Sequence, residues 1–135
     1  MDRERQPIVL TLQRGALALP AMRIVTGWLG SQNAMPLERL DDVNLALETL
    51  VTADTGESGE LSLIVTTDDD GLSIVVKGLT GKDLLDSLVG ASRSSSATRG
   101  WPLDINLFLK ALVDQYFIDD SGADTFSVSM RKRFC

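Results

Sequence analysis

The sequence predicts an α+β two-layer sandwich: one mixed, mostly antiparallel sheet with helices packed on one face. Three observations carry that expectation. Segments in which apolar and polar residues alternate stand near the start, in the middle and at the end of the chain. The two middle segments are joined by a connection rich in Asp and Gly, the mark of an antiparallel hairpin. Helical-period segments come in groups, and not one between each pair of strands, which disfavours a parallel βαβ architecture.

"PIVLTLQR" sets Ile8, Leu10 and Leu12 against Val9, Thr11 and Gln13, a period-2 strand with one buried face. In "LPAMRIVTGWLGSQN", Pro20 suits a first helical turn and Leu17, Ala21, Ile24, Val25 and Trp28 recur at helical spacing. That stripe is expected to face the core, Trp28 included, with Gly30 and Asn33 as the stop. "PLERLDDVNLALETLVTAD" is a second helix with Leu40, Val43, Leu47, Leu50 and Val51 on one face. Glu48 and Asp54 are expected on its solvated side.

After the turn "TGESG", the strands "ELSLIVTT" and "LSIVVK" should point Leu61, Leu63 and Val65 at the same core as Leu72, Ile74 and Val76. "DDDG" at 68–71 could suggest a metal cluster, but three Asp beside a Gly read as turn chemistry. "KDLLDSLV" is a short amphipathic helix. "GASRSSSATRG", residues 90–100, is too small and polar to pack and reads as a mobile loop. A long helix is expected through "PLDINLFLKALVDQYF", with Leu109, Leu112, Val113 and Tyr116 on one stripe. The final strand, "DTFSVSMRKRF", places Phe126, Val128 and Met130 inward and Ser127, Ser129 and Arg131 outward. The expected order is β-α-α-β-β-α-loop-α-β, one domain over residues 1–135.

Composition narrows the function. A hydrophobic share of 44% over 135 residues suffices for one buried core. No apolar run approaches the roughly 18 residues of a membrane helix, and "MDRERQP" does not open like a secretory signal, so a cytoplasmic protein is expected. The net charge of −6 argues against binding nucleic acid directly. The one basic cluster, Arg131, Lys132 and Arg133, reads as a solvated strand edge, and Lys82 and Lys110 as solvent charges. The chain has no histidine and a lone Cys135, which removes histidine-based triads, histidine zinc sites, thiolate metal sites and disulfides.

The element order, with "LDDVNLAL" and the closing "LFLKALVD…SGADTFSVSMRKR", resembles the anti-sigma factor serine kinases of bacterial partner-switching systems. Those belong to the GHKL (histidine kinase-like ATPase) superfamily, with its Bergerat-type sandwich. The resemblance runs from about Ile8 to Phe134 and implies three nucleotide-binding boxes.

The first box, Leu-Ala-Val-x-Glu-Ala-x-x-Asn, supplies a general base and a magnesium ligand from one helix face. With "LAL" aligned on it, those positions are Thr49 and Ala53. Sliding by one gives Glu48 and Thr52 but turns the helix by about 100 degrees, so the first register is preferred. The second box, Asp-x-Gly-x-Gly after a strand, reads adenine. Here "GLTGKD" gives Gly78 for the Asp and Thr80 for the first glycine, with Gly81 nearby. The third box, Gly-x-Gly-Leu, cradles phosphates at a helix N-terminus. Its glycine positions are Leu103 and Ile105, with Gly100 upstream, and residues 90–100 occupy the place of the ATP lid.

All three boxes depart from the pattern, which implies a domain that kept the fold and gave up ATP. The expected function is an anti-sigma-like protein-binding regulator, a degenerate relative of a protein kinase, with no catalytic residue, metal or cofactor. As the resemblance implies, its partners would be a sigma factor and an anti-anti-sigma protein, and it would be a homodimer. Arg23, Gln32, Glu38 and Asp41 are the candidate contact residues. Trp101 is open between an interface anchor and a filler of the former ATP pocket. The alternative is an active serine kinase with Glu48 as base and Thr52, Gly78, Gly81 and Gly100 around ATP and magnesium. A scaffold or dimerisation domain unrelated to sigma factors is the third reading.

Overall fold

The computed structural model describes residues 7–54, 59–89, 105–120 and 124–135. These form β1 (Ile8–Gln13), α1 (Ala18–Gln32), α2 (Leu37–Ala53), β2 (Glu60–Thr67), β3 (Gly71–Leu79), α3 (Lys82–Val89), α4 (Ile105–Leu112), β4 (Gln115–Asp119) and β5 (Phe126–Arg133). The strands make one open sheet in the order β1-β2-β3-β5-β4. Among the described residues every pairing is antiparallel, and with the helices the sheet makes the expected α+β two-layer sandwich. The 90–100 loop, Gly100, Trp101 and Leu103 lie outside the described residues.

Alternation builds the sheet's inner face. Leu63 pairs with Val76 and Val76 with Val128, and all three are buried, so the apolar positions stack in rows across the strands. Leu61, Val65, Leu72, Ile74, Phe126 and Met130 complete that face. Against it α2 lays Val43, Ala46, Leu47, Leu50 and Ala53, the stripe its sequence spacing predicts plus two alanines that permit close approach. Each large side chain buried this way stabilises the fold by about 1.5–3 kcal/mol.

The connection at 68–71 is a turn. Asp68 Oδ1 accepts the N–H groups of Asp70 (2.7 Å) and Gly71 (3.0 Å), an Asx-type closure of the β2–β3 hairpin.

Four expectations are corrected. The last helix ends at Leu112, and "QYFID" is the strand β4, which pairs Tyr116 with Met130 and Ile118 with Val128. Its Tyr116 and Ile118 face inward and Phe117 outward, a period of 2 that a five-residue segment can pass off as helical spacing. β5 is consequently no edge. It lies between β3 and β4, and Lys132 is buried, its Nζ donating to Leu112 O (2.7 Å) and Asp42 Oδ2 (3.1 Å).

The other two corrections concern helix faces. α1 buries Ala18, Met22, Thr26 and Gly30, while Leu17, Ile24 and Trp28 are exposed. The small buried face lets α1 sit close to α2: a Cβ on Gly30 would meet Leu40 Cδ1 at 3.1 Å, and Thr26 Oγ1 lies 3.0 Å from Asn44 Oδ1. Asp54, expected in solvent, is buried at the C-terminal cap of α2.

Candidate functional site

Asp54 anchors a densely bonded polar cluster. An acidic group at a helix C-terminus faces the negative end of the helix dipole and needs compensation. Arg14, in the turn that follows β1, supplies it: Nη1 forms an ion pair with Asp54 Oδ2, Nη2 donates to Gly78 O, and Thr80 Oγ1 lies 3.5 Å from Nη2. The Asp54 side chain is fully buried and that of Arg14 nearly so. The other carboxylate oxygen accepts the successive backbone N–H groups of Thr80 (3.0 Å) and Gly81 (2.6 Å), at the start of α3. The ends of β1, α2 and β3 and the entry to α3 are thus tied together by one carboxylate and one guanidinium.

The glycines nearby are accounted for by the backbone. Gly78 has φ +93° and sits at a register shift between Lys77 and Leu79 in the β3–β5 ladder. A Cβ there would collide with the Glu60 carbonyl oxygen, so this bulge requires glycine whatever else it does. The N–H of Gly81 is spent on Asp54. Two successive N–H groups at a helix entry are a natural anion site. In this chain the anion is the chain's own carboxylate.

The residues of the first box lie elsewhere. Glu48 is half-exposed and pairs with Arg23 Nη2 at 2.7 Å, bridging α2 to α1. Thr52 is exposed one turn later, while Thr49 donates its hydroxyl to Leu45 O (2.8 Å) and Ala53 is in the core. Ile105, at one glycine position of the third box, is buried. The structure therefore gathers Gly78 and Gly81 around Arg14 and Asp54, and engages Glu48 separately with Arg23. Arg23, Gln32, Glu38 and Asp41 are on α1 and α2, Arg23 held by Glu48 and the other three exposed. Lys82 and Lys110 are exposed as expected.

A cleft of about 310 Å³ opens beside the junction, lined by Thr80, Gly81, Lys82, Leu85, Asp120, Asp124, Thr125 and Phe126. Among the described residues lining it, one cation, Lys82, accompanies two carboxylates, Asp120 and Asp124, an arrangement ill suited to a polyphosphate.

At the far end of β3 a second, more open cleft of about 550 Å³ is lined by Asp70, Asp114, Gln115, Arg131 and Arg133. Arg131 Nη2 donates to Asp68 Oδ1 at 2.9 Å, and Nη1 to Ser73 Oγ at 3.1 Å. The Arg131 hydrogen bond, helped by the Asp70 and Gly71 amides against some desolvation, holds the Asp68 carboxyl at about 2, below its ordinary 3.8. Among the described residues no group of three or more His, Cys, Asp or Glu is placed to hold a metal, and no helix is long and apolar enough to cross a membrane.

Sequence reasoning missed both members of the central pair, Arg14 and Asp54. Asp54 carried the one available signal, an acid at a helix C-terminus. Arg14 carried none. No protein-family model matches the chain, and no curated protein does.

Proposed function

We propose that this chain is an anti-sigma-like protein-binding module that acts by occupancy, without nucleotide chemistry. The observation that carries this reading is the filled junction at Arg14 and Asp54. On the GHKL resemblance, the turn after β3 is where an adenine-reading carboxylate and ligand-facing glycines belong. In this chain the Thr80 and Gly81 amides there bind Asp54, and the Gly78 carbonyl binds Arg14. A nucleotide would have to displace an internal ion pair that is already formed, and breaking such a pair costs about 3–5 kcal/mol.

The serine-kinase reading has less support. Its base, Glu48, is engaged by Arg23, and its metal ligand would be Thr52, a neutral hydroxyl where magnesium favours carboxylate or amide oxygen. A net charge of −6 suits a basic protein surface and accelerates its encounter. On this reading the protein needs no cofactor, its partners are a sigma factor and a competitor protein, and it acts in the cytoplasm.

The test is binding of the full chain to the sigma factors encoded in the same genome, by titration calorimetry with and without ATP and Mg²⁺. The expected outcome is a stable complex with at least one of them, at the same affinity in both conditions. No complex with any, or an affinity that depends on nucleotide, overturns the proposal.

A further inference from the structure

The carboxylate of Asp54 is held by groups that do not belong to the helix carrying it. Oδ2 is paired with Arg14 Nη1, and Oδ1 accepts the N–H groups of Thr80 (3.0 Å) and Gly81 (2.6 Å). Donors from two other segments thus converge on the two oxygens. α2 itself works against the arrangement, because Asp54 caps its C-terminus, where the helix dipole repels a negative group.

Each donor is fixed without help from Asp54. The Arg14 backbone N–H donates to Gly59 O (3.1 Å), which continues the β1–β2 ladder, and Nη2 donates to the Gly78 carbonyl at the β3 bulge. Gly81 O accepts the Leu85 N–H (3.0 Å), which sets the first turn of the eight-residue α3. The helix entry is one half of the site. The other half is a buried cation: the Arg14 side chain is 8% exposed, and its Nε–H is sealed from solvent with no acceptor among the described residues. Asp54 and Gly78 therefore do not exhaust the donors of the guanidinium.

We propose that Arg14, Thr80 and Gly81 form a preassembled receptor for a planar carboxylate. Asp54 fills it as a tethered ligand, and a free monocarboxylate fills it when that side chain is removed. The donor set selects the class. One oxygen meets a charged donor and the other meets two amides, a split that suits a two-oxygen anion and that a single-centred halide does not match. Thr80 and Gly81 also line the cleft of about 310 Å³, which gives a dissolved ligand a way in. In the wild type the tether keeps free carboxylate out, because an attached group has an effective concentration that a dissolved one does not reach. The anti-sigma reading and this receptor can each fail alone.

Size sharpens the expectation. Asp54→Ala removes only the carboxylate and leaves a gap shaped like formate. Asp54→Gly removes Cβ as well and leaves the gap of acetate. The backbone at Asp54 is extended, with φ −79° and ψ 119°, so neither change strains it.

The experiment is urea denaturation of the full chain as wild type, Asp54→Ala and Asp54→Gly, in sodium formate, acetate or chloride at matched ionic strength. A ligand of three heavy atoms binds at about millimolar at best, so the series runs to roughly 300 mM. At ten times its dissociation constant such a ligand raises the folding constant about 11-fold. That gain, measured over wild type in the same salt, is expected for Asp54→Ala in formate and for Asp54→Gly in acetate. Acetate should do less than formate for Asp54→Ala, where its methyl meets Cβ, and chloride should do nothing for either. Adding Arg14→Ala should abolish the rescue. If Asp54→Ala is unfolded in water, the same comparison is made in trimethylamine N-oxide, which strengthens burial. No gain over wild type in formate, an equal gain in chloride, or a gain that survives Arg14→Ala overturns the proposal.

Discussion

Two Arg–Asp pairs stand at opposite ends of β3, one at the Gly78 bulge and one at the Asp68 turn. They share their chemistry and differ in surroundings. Arg14 and Asp54 are 8% and 0% exposed, and each is bonded further to backbone groups that only this fold brings together. Arg131 and Asp68 are 27% and 56% exposed and close a hairpin that its own Asx turn already shapes. The first pair holds four segments in place and fills a site where amides converge. The second trims a surface. Burial therefore decides which pair is architecture and which is ornament, because attraction between charges weakens and screening grows as water enters.

The largest effect expected from this comparison is at Asp54. Asp54→Ala should cost about 3–5 kcal/mol, since it strands a buried guanidinium and leaves the buried Gly81 amide and the part-buried Thr80 amide without their acceptor. Urea denaturation checks it through the midpoint at unchanged slope. A cost under about 1 kcal/mol, the level of an exposed pair, would mean that the junction is wetter than its geometry says and that the contrast between the two pairs is false.

The smaller effect is at Asp68, where pH is the sharper probe. Its folded-state carboxyl titrates near 2 and its unfolded one near 3.8, so the pair's contribution is complete above about 4 and is lost as pH falls through 2. With Asp68 more than half exposed, the pair is worth about 1 kcal/mol or less after screening. Asp68→Asn should thus lower stability slightly at neutral pH and remove part of the decline between pH 4 and pH 2. Salt should shrink the difference. An effect at Asp68 equal to that at Asp54 would break the comparison from the other side.

How legible these features were follows from how local their causes are. The stripes of α2 and the alternation of β2, β3 and β5 were readable because each segment's period matches the one face it buries. In α1 the period was just as clear and pointed the wrong way. Its apolar stripe faces out, and the core takes the side with Thr26 and Gly30, whose small size matters only once α2 is known to lie alongside. In the sequence β4 reads as part of the preceding helix because Tyr116 continues the spacing of Leu109, Leu112 and Val113 by coincidence. From sequence Lys132 reads as solvated, because the position of β5 in the sheet depends on β4.

The central pair was the least readable. Arg14 and Asp54 are 40 residues apart, and nothing in "LQRGAL" or "VTADTG" marks them as partners. The glycines beside them looked like the remains of a ligand loop. In the folded chain Gly78 answers to the bulge and Gly81 to the Asp54 carboxylate. Sequence spacing reports which residues are in register with one another along an element. It does not report which distant side chain fills the space where elements end.

On the proposed reading this space is filled from within and the module works without nucleotide. Isothermal titration of the full chain with ATP and with ADP, each with Mg²⁺, carried to millimolar concentration, tests it most directly. No heat of binding and no thermal stabilisation by either nucleotide is expected. A micromolar dissociation constant that requires Mg²⁺ would overturn that reading, and would mean that the Arg14–Asp54 junction opens to admit nucleotide.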